Sequence, residues 1–105
     1  GCNLNLPLPP GSGDDAYADA VRRLADAVKA FGAQALVISA GWDAHRDDPL
    51  SRLAVTTSAY EVLGGLLAQL ALPSVIVQEG GYSLAAVAEA APAFVTAFRA
   101  GHRIA

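Results

Sequence analysis

Residues 35–50 read ALVISAGWDAHRDDPL, and this stretch decides the fold. Its first part, residues 35–40, is a short apolar run without alternation, which is typical of a strand buried in a parallel sheet. Three carboxylates, a histidine and an arginine then follow within residues 43–48. Ligand sites of open parallel sheets lie beyond the carboxyl ends of the strands. The polar residues therefore stand where such a sheet would carry its site.

Two further segments are predicted to be strands. Residues 3–8, NLNLPL, alternate polar and apolar side chains, which indicates a strand with one wet face, and Pro7 places it at an edge or near a strand end. Residues 73–78, PSVIVQ, repeat the short apolar run and lead into the sequence EGGY. The sequence thus predicts three strands.

A helix is predicted after each strand. The first begins at a cap on Asp14 or Asp15 and ends before Gly32, because its apolar residues recur in steps of three and four. The second begins among residues 56–58, where Ser58 and Glu61 have capping-box spacing, and runs to residue 70.

The third helix is predicted to start at a Ser83 cap and to reach residue 98, with Pro92 kinking or splitting it. Within the second helix, Gly64 and Gly65 cost roughly 1 kcal/mol each relative to alanine. A helix tolerates that cost where another element packs closely. Their structural interpretation is therefore preferred to a functional one.

The resulting order, strand and helix three times over, predicts an α/β fold in which a parallel sheet is covered by helices. We expect residues 1–105 to lie in a single domain. The chain is 53% hydrophobic and only 16% charged, against about 25% charged residues in typical globular proteins. The sequence therefore predicts apolar surface that the rest of a domain, or another chain, has to cover.

Composition also limits the partners and the compartment. The net charge of -3 and the pI of about 5.1 argue against nucleic acid. No apolar run reaches the ~18 residues of a membrane span. The single cysteine, Cys2, offers no internal disulfide, so a reduced, cytoplasmic setting is the expected location.

Two loops qualify as the site by position alone, one after each of the last two strands. Asp43 in the first can ligate a metal, bind a hydroxyl group or cap a turn, and the residues alone do not decide among these. Tyr82 in the second can donate a hydrogen bond to an oxygen that becomes negative during a reaction. Gly80 and Gly81 either let the backbone approach another group closely or supply a turn with positive φ.

The other charged residues of the stretch have simpler interpretations. Residues 47–49, Asp-Asp-Pro, are typical of a turn, and Arg46 is expected to pair with the neighbouring carboxylates. His45 is a weak ligand candidate, because no second histidine stands at metal-binding spacing. His102 is expected to be solvated near the end of the chain.

Three motifs together, NLPLPPGSGDDAY, SAGWDAHRDDPL and QEGGY, resemble the C-terminal part of the histone deacetylase superfamily, in particular bacterial acetylpolyamine amidohydrolases. The resemblance implies an arginase-like three-layer α/β fold and a zinc-dependent deacetylase that acts on acetylated lysine or polyamines. It implies that Asp43 is a zinc ligand and that Tyr82 stabilises the tetrahedral oxyanion. Gly80, Gly81 and Leu50 would line the substrate tunnel.

The sequence also departs from the family pattern. The tandem histidines, two of the zinc ligands and the residues of the potassium sites have no counterpart here, so the chain corresponds to about the last third of a catalytic domain. Such a fragment is expected to be inactive alone. Two other interpretations stay open. One is a non-enzymatic assembly module whose apolar edges pair with another chain. The other is a nucleotide-binding module, which is the weakest interpretation because no glycine-rich phosphate loop follows the first strand.

Overall fold

A computed structural model describes residues 1–103 as five elements in the order helix, strand, helix, strand, helix. Their bounds are α1 (Asp14–Phe31), β1 (Leu36–Ala40), α2 (Thr57–Ala68), β2 (Ser74–Gln78) and α3 (Leu84–Gly101). The last two predicted strands and all three predicted helices are present. None of the helices in these residues is long and apolar enough to cross a membrane.

The two strands pair in parallel and in register, from Leu36 opposite Ser74 to Ala40 opposite Gln78. Helix α2 connects them, so the β1-α2-β2 unit expected from the sequence is confirmed. The two short apolar runs are therefore neighbours, and both end at the same rim of the sheet.

The prediction of a strand over residues 3–8 is wrong. Within residues 1–103 the sheet has only β1 and β2, and residues 4–8 instead form one wall of a groove whose other wall is α1. Proline stands at positions 7, 9 and 10, and each proline removes a backbone donor from a possible ladder. The alternating residues therefore lie beside helix α1 instead of pairing within the sheet.

The two faces of the sheet differ. Ile38 and Ile76 point to the hydrophobic core, which all three helices complete. On the opposite face Val37, Val75 and Val77 are 70%, 58% and 41% exposed. The described residues thus supply a sheet and one layer of helices, and we call the surface of these three valines the open face.

The capping interactions of α1 and α2 differ from the sequence prediction, and one long-range contact joins the two helix starts. Helix α1 is capped by Gly13, and Asp14 instead accepts hydrogen bonds from the Thr56 amide (2.8 Å) and hydroxyl (2.6 Å). Helix α2 begins at Thr57 after an N-cap at Thr56, within the predicted residues 56–58, but the predicted capping box of Ser58 and Glu61 does not form. Helix α2 also ends at Ala68, two residues earlier than expected.

Helix α3 begins as predicted, with the Ser83 hydroxyl accepting from the Ala86 amide at 3.2 Å. It then runs unbroken through Pro92, so of the two predicted effects of this proline the split is wrong, and the kink stays a prediction. Pro92 and Ala88 are both exposed, and water can satisfy the Ala88 carbonyl that proline deprives of a donor.

The glycines of α2 have separate explanations. A Cβ atom on Gly64 would lie 3.1 Å from the Phe94 carbonyl carbon and from the Phe98 amide nitrogen of α3. A Cβ on Gly65 would meet nothing within 4 Å. The predicted close packing is confirmed for Gly64 alone.

Candidate active site

The candidate site is built on two loops at the carboxyl end of the sheet. The first rim loop (residues 41–56) follows β1, and the second rim loop (residues 79–83) follows β2. The sheet hydrogen bonding continues into them: the Glu79 amide donates to the Ala40 carbonyl at 2.8 Å, and the Trp42 amide donates to the Gly80 carbonyl at 2.7 Å. The predicted shared rim is thereby confirmed.

Asp43 is exposed, and its carboxylate rests on two glycines. A Cβ on Gly41 would lie 2.9 Å from Oδ1, and one on Gly80 would lie 2.8 Å from the carboxyl carbon. Within residues 1–103 no hydrogen bond or ion pair uses this carboxylate. A turn-capping role is therefore not observed within these residues.

Gly81 is required for a different reason. Its φ of 149° belongs to the region that favours glycine, and a Cβ there would lie 3.1 Å from Trp42 and 2.9 Å from Val87. The two alternatives left open for the glycine pair are thus both present, with close approach at Gly80 and positive φ at Gly81.

The first rim loop is anchored by Trp42, which is 3% exposed. Its ring lies 5.4 Å from Tyr60 and 5.7 Å from Phe94 between centroids, the second in an edge-on arrangement. Tyr60 in turn donates its hydroxyl to the Gly41 carbonyl at 3.1 Å. Gly41 and Trp42, the first two residues of the loop, are therefore held in place by side chains of α2 and α3.

The charge of Asp43 reaches two tyrosines of the core. Burial raises the pKa of the Tyr60 phenol, and the nearby Tyr17 and Asp43 raise it further. Burial raises the pKa of Tyr17 as well, with Asp43 as the second cause. Both phenols stay protonated at neutral pH, and sequence reasoning missed them because they lie on helices remote from the loop.

Asp48 connects the two loops. Its Oδ1 accepts from the Leu50 amide at 2.8 Å, its Oδ2 accepts from the Tyr82 amide at 2.7 Å, and the residue is only 6% exposed. The sequence predicted a turn at this position, and the Leu50 bond belongs to that turn. Nothing in the sequence indicated the contact with Tyr82, which is 34 residues away.

Leu50 and Tyr82 present their side chains at the surface. They are 68% and 57% exposed, while the amide of each is held by Asp48. The structure thus brings together the loops of Asp43, Leu50, Gly80, Gly81 and Tyr82. What these residues do to a substrate stays a prediction.

His45 is a structural residue of the first rim loop. It is 2% exposed, its Nδ1 accepts from the Asp47 amide at 3.1 Å, and its Nε2 lies 3.0 Å from the Thr57 hydroxyl. Since Nδ1 accepts, Nε2 carries the proton and donates to Thr57. The ring is therefore occupied by internal partners.

Two minor predictions are wrong. Arg46 forms no ion pair within residues 1–103; its amide donates to the Val55 carbonyl while its side chain is exposed, where pairing gains little. His102 is not simply solvated, because its Nε2 lies 2.6 Å from the Leu72 carbonyl and its ring stacks on Phe98 at 4.7 Å.

Asp43 is the predicted metal ligand among the described residues, and this role stays a prediction. Residues 1–103 contain no group of three or more His, Cys, Asp or Glu side chains placed to hold a metal ion. A catalytic zinc uses three protein ligands and a water. A carboxylate such as that of Asp43 fits one of these positions.

Comparison with known proteins gives a consistent result. A family model described as the histone deacetylase domain matches residues 1–98. The chain is 44% identical over 100 residues to an acetylpolyamine amidohydrolase of Burkholderia pseudomallei, covering 95% of this chain and 29% of that protein. It is 37% identical to acetylpolyamine amidohydrolase 1 of Pseudomonas aeruginosa, covering 83% of this chain and 25% of the relative.

Solved structures agree with the sequence matches. The crystal structure of the acetylpolyamine aminohydrolase from Burkholderia pseudomallei superposes with a TM-score of 0.91 at 43% identity, over 95% of this chain and 29% of that one. The histone deacetylase Clr3 superposes with a TM-score of 0.83 at 28% identity, over 90% and 16%. The chain thus spans less than a third of the length of these relatives.

Proposed function

The chain belongs to the histone deacetylase family, and on that premise we propose that it is the C-terminal portion of a zinc-dependent deacetylase catalytic domain. The substrates would be N-acetyl amides of lysine side chains or polyamines. One observation carries the proposal: the exposed Asp43 carboxylate, free of internal partners within residues 1–103, lies against Gly80 in the loop that also carries Tyr82.

Asp43 is proposed as one zinc ligand. Carboxylate oxygens are ordinary zinc ligands, and the missing side chains of Gly41 and Gly80 leave room for the Asp43 carboxylate. The remaining ligands and the general acid and base would come from residues outside this chain. When bound, the metal supplies Lewis-acid polarisation of the amide carbonyl and an activated water. Potassium sites, which the resemblance also implies, would likewise lie outside these residues.

Tyr82 is proposed to act on the substrate carbonyl. Its phenol O–H would donate a hydrogen bond to the carbonyl oxygen as negative charge develops there, which is where a fixed donor lowers a barrier most. Leu50 would form an apolar wall of the tunnel for the acyl chain. Gly80 and Gly81 would let the substrate approach the backbone, in addition to making room for Asp43 and Trp42.

The open face is proposed to be covered by the rest of the domain. Three exposed valines on one side of a parallel sheet are unusual, because such sheets are normally covered on both faces. The isolated chain would then be inactive and would bind zinc weakly. Its share of 29% of the Burkholderia relative leaves enough chain elsewhere to supply that cover.

A chimera tests the proposal. In it, this chain replaces the matching 100-residue segment of the Burkholderia pseudomallei relative. We expect zinc-dependent hydrolysis of an acetylated polyamine or acetyl-lysine peptide, and no turnover by the isolated chain. Asp43→Asn should lower both the zinc content and the activity. Tyr82→Phe should keep zinc and lower kcat about 100-fold, the usual cost of losing one oxyanion donor.

The matched control is Asp47→Asn, which changes an exposed carboxylate of the same loop. It should leave zinc content and kcat within about twofold of the parent chimera, as surface substitutions usually do. Three results would contradict the proposal: a folded, zinc-loaded chimera without turnover, normal zinc content in Asp43→Asn, or turnover by the chain alone.

The open face also supports a second candidate function. A non-enzymatic assembly module would use Val37, Val75 and Val77 to pair with another chain. In that case the isolated chain would form a stable dimer on size-exclusion chromatography, Val75→Lys would dissociate it, and the chimera would be folded but inactive.

A further inference from the structure

We propose that Asp48 is a positioning residue that sets the placement of Tyr82 and Leu50 together. This inference rests on the proposed function, because it concerns how the site residues of a deacetylase are held. Asp48 lies in the first rim loop, and its two carboxylate oxygens serve different loops. It does not itself reach substrate in this assignment; it acts through the two residues whose amides it accepts.

The contacts make the carboxylate a bridge. Oδ1 accepts from the Leu50 amide at 2.8 Å and Oδ2 accepts from the Tyr82 amide at 2.7 Å. The Asp48 amide donates to the His45 carbonyl at 3.0 Å, and His45 is itself buried and hydrogen-bonded to Thr57. The bridge is thus tied to the core on one side and to both exposed site residues on the other.

The burial of Asp48 gives the bridge its strength. The residue is 6% exposed, and within residues 1–103 it has no cationic partner, so backbone amides are what compensates for removing its charge from water. Hydrogen bonds of amides to an ionised acceptor are short and stronger than neutral ones. Loss of the carboxylate would leave two amides without their acceptor.

Tyr82 depends on such a restraint for its placement. Its side chain is 57% exposed, so packing does little to fix it, and Gly81 before it has the conformational freedom of a glycine at a φ of 149°. The Asp48 bond fixes the peptide between these two residues. A displacement of about 1 Å at a catalytic group can cost about 100-fold in rate.

Asparagine at this position is a sharp probe. It matches aspartate in shape but has one acceptor oxygen, and its NH₂ group would face one of the two amides with a donor. Asp48→Asn therefore breaks one arm of the bridge without leaving a cavity. Asp47→Asn makes the same chemical change at the exposed neighbour and serves as the control.

The kinetic test uses the chimera described above. We expect Asp48→Asn to lower kcat at least 10-fold while zinc content stays unchanged. In a Tyr82→Phe background the same change should lower kcat less than about twofold, because residues that act through one group are not additive. A full 10-fold loss in both backgrounds would assign Asp48 a general structural role and overturn the proposal, as would an unchanged kcat in Asp48→Asn.

A second measurement uses the 105-residue chain itself. Amide hydrogen exchange followed by NMR should speed up at least 10-fold at Leu50 or Tyr82 in Asp48→Asn, and stay unchanged at Trp42, whose amide donates to Gly80. Unchanged exchange at both Leu50 and Tyr82, or an equal increase at Trp42, would overturn the inference. If the unmutated chimera has no turnover, the proposed function fails, and exchange alone decides whether Asp48 holds the two loops.

Discussion

The rim loops and the open face lie on the same two-stranded sheet, and the chain treats them in opposite ways. At the rim, Trp42 and Asp48 are 3% and 6% exposed although they belong to a loop. On the open face Val37 is 70% exposed although it belongs to an apolar strand whose sequence is typical of burial on both faces. Loops are normally the mobile, solvated part of a fold and strands the buried part.

This reversal has a physical origin in where each region finds its partners. The rim loops are held by α2, α3 and each other, through the Trp42 stack, the Tyr60 hydroxyl and the Asp48 bridge. The open face has no partner within residues 1–103. The rim loops are therefore held by contacts within the chain, while the open face stays exposed in the described residues.

The largest expected effect comes from removing the loop anchor. Trp42→Ala should lower the free energy of unfolding by about 3–5 kcal/mol, because it empties a packed aromatic site between Tyr60 and Phe94. Urea denaturation of the chain, followed by circular dichroism, measures the change.

The control for this change is Val75→Thr on the open face. It should alter the free energy of unfolding by less than about 0.5 kcal/mol, since the side chain is 58% exposed. If the two substitutions cost the same, the contrast between an anchored rim and an uncovered sheet face would be wrong.

Two adjacent glycines of α2 show the same contrast between a packed position and a position without neighbours. Gly64→Ala should destabilise the chain by about 1–3 kcal/mol, because the added methyl group meets the backbone of α3. Gly65→Ala should instead stabilise it by roughly 0.5–1 kcal/mol, because the position is open and alanine favours a helix. Thermal unfolding of the two variants side by side measures both signs. Equal signs would mean that α2 and α3 do not approach as closely as the structure has them.

The sequence predicts those parts of the fold that depend on local spacing, and it does not predict those that depend on contacts between distant residues. β1, β2 and the three helices were found because their apolar spacing is local. Residues 3–8 were assigned wrongly because an alternating pattern does not say whether its apolar side meets a sheet or a helix. The start of α2 lies in the predicted residues 56–58, but the predicted capping box does not form, and the contact of Thr56 with Asp14, 42 residues away, is one that no local pattern indicates.

The site was predictable to a similar extent. Parallel strands that follow one another place their loops at one rim, so the proximity of the Asp43 and Tyr82 loops was expected. The support beneath them was not, because the Asp48 bond to Tyr82 and the Tyr60 bond to Gly41 join residues 34 and 19 positions apart. A turn-forming Asp-Pro pair and a helical tyrosine look ordinary in sequence, and only the fold brings them to the rim.

A smaller, pH-dependent effect concerns the Tyr60 hydroxyl beneath the first rim loop. Burial, Tyr17 and Asp43 raise the pKa of this phenol above its ordinary value of 10.0. Above about pH 10 the unfolded chain therefore loses the proton before the folded chain does. The stabilisation that comes from the protonated phenol is fully present below that pH and is lost as the pH rises further.

Tyr60→Phe tests this assignment. It should cost about 1 kcal/mol at neutral pH through the lost bond to the Gly41 carbonyl, and it should weaken the alkaline decline without abolishing it, since burial also raises the pKa of Tyr17. Urea midpoints between pH 8 and about 11 measure both quantities. Val75→Thr on the open face removes no phenol and should keep the decline of the parent chain. An identical decline in the parent and in Tyr60→Phe would mean that the Tyr60 phenol is not buried beneath the first rim loop. The hydrogen bond from α2 to Gly41 would then be wrong as well.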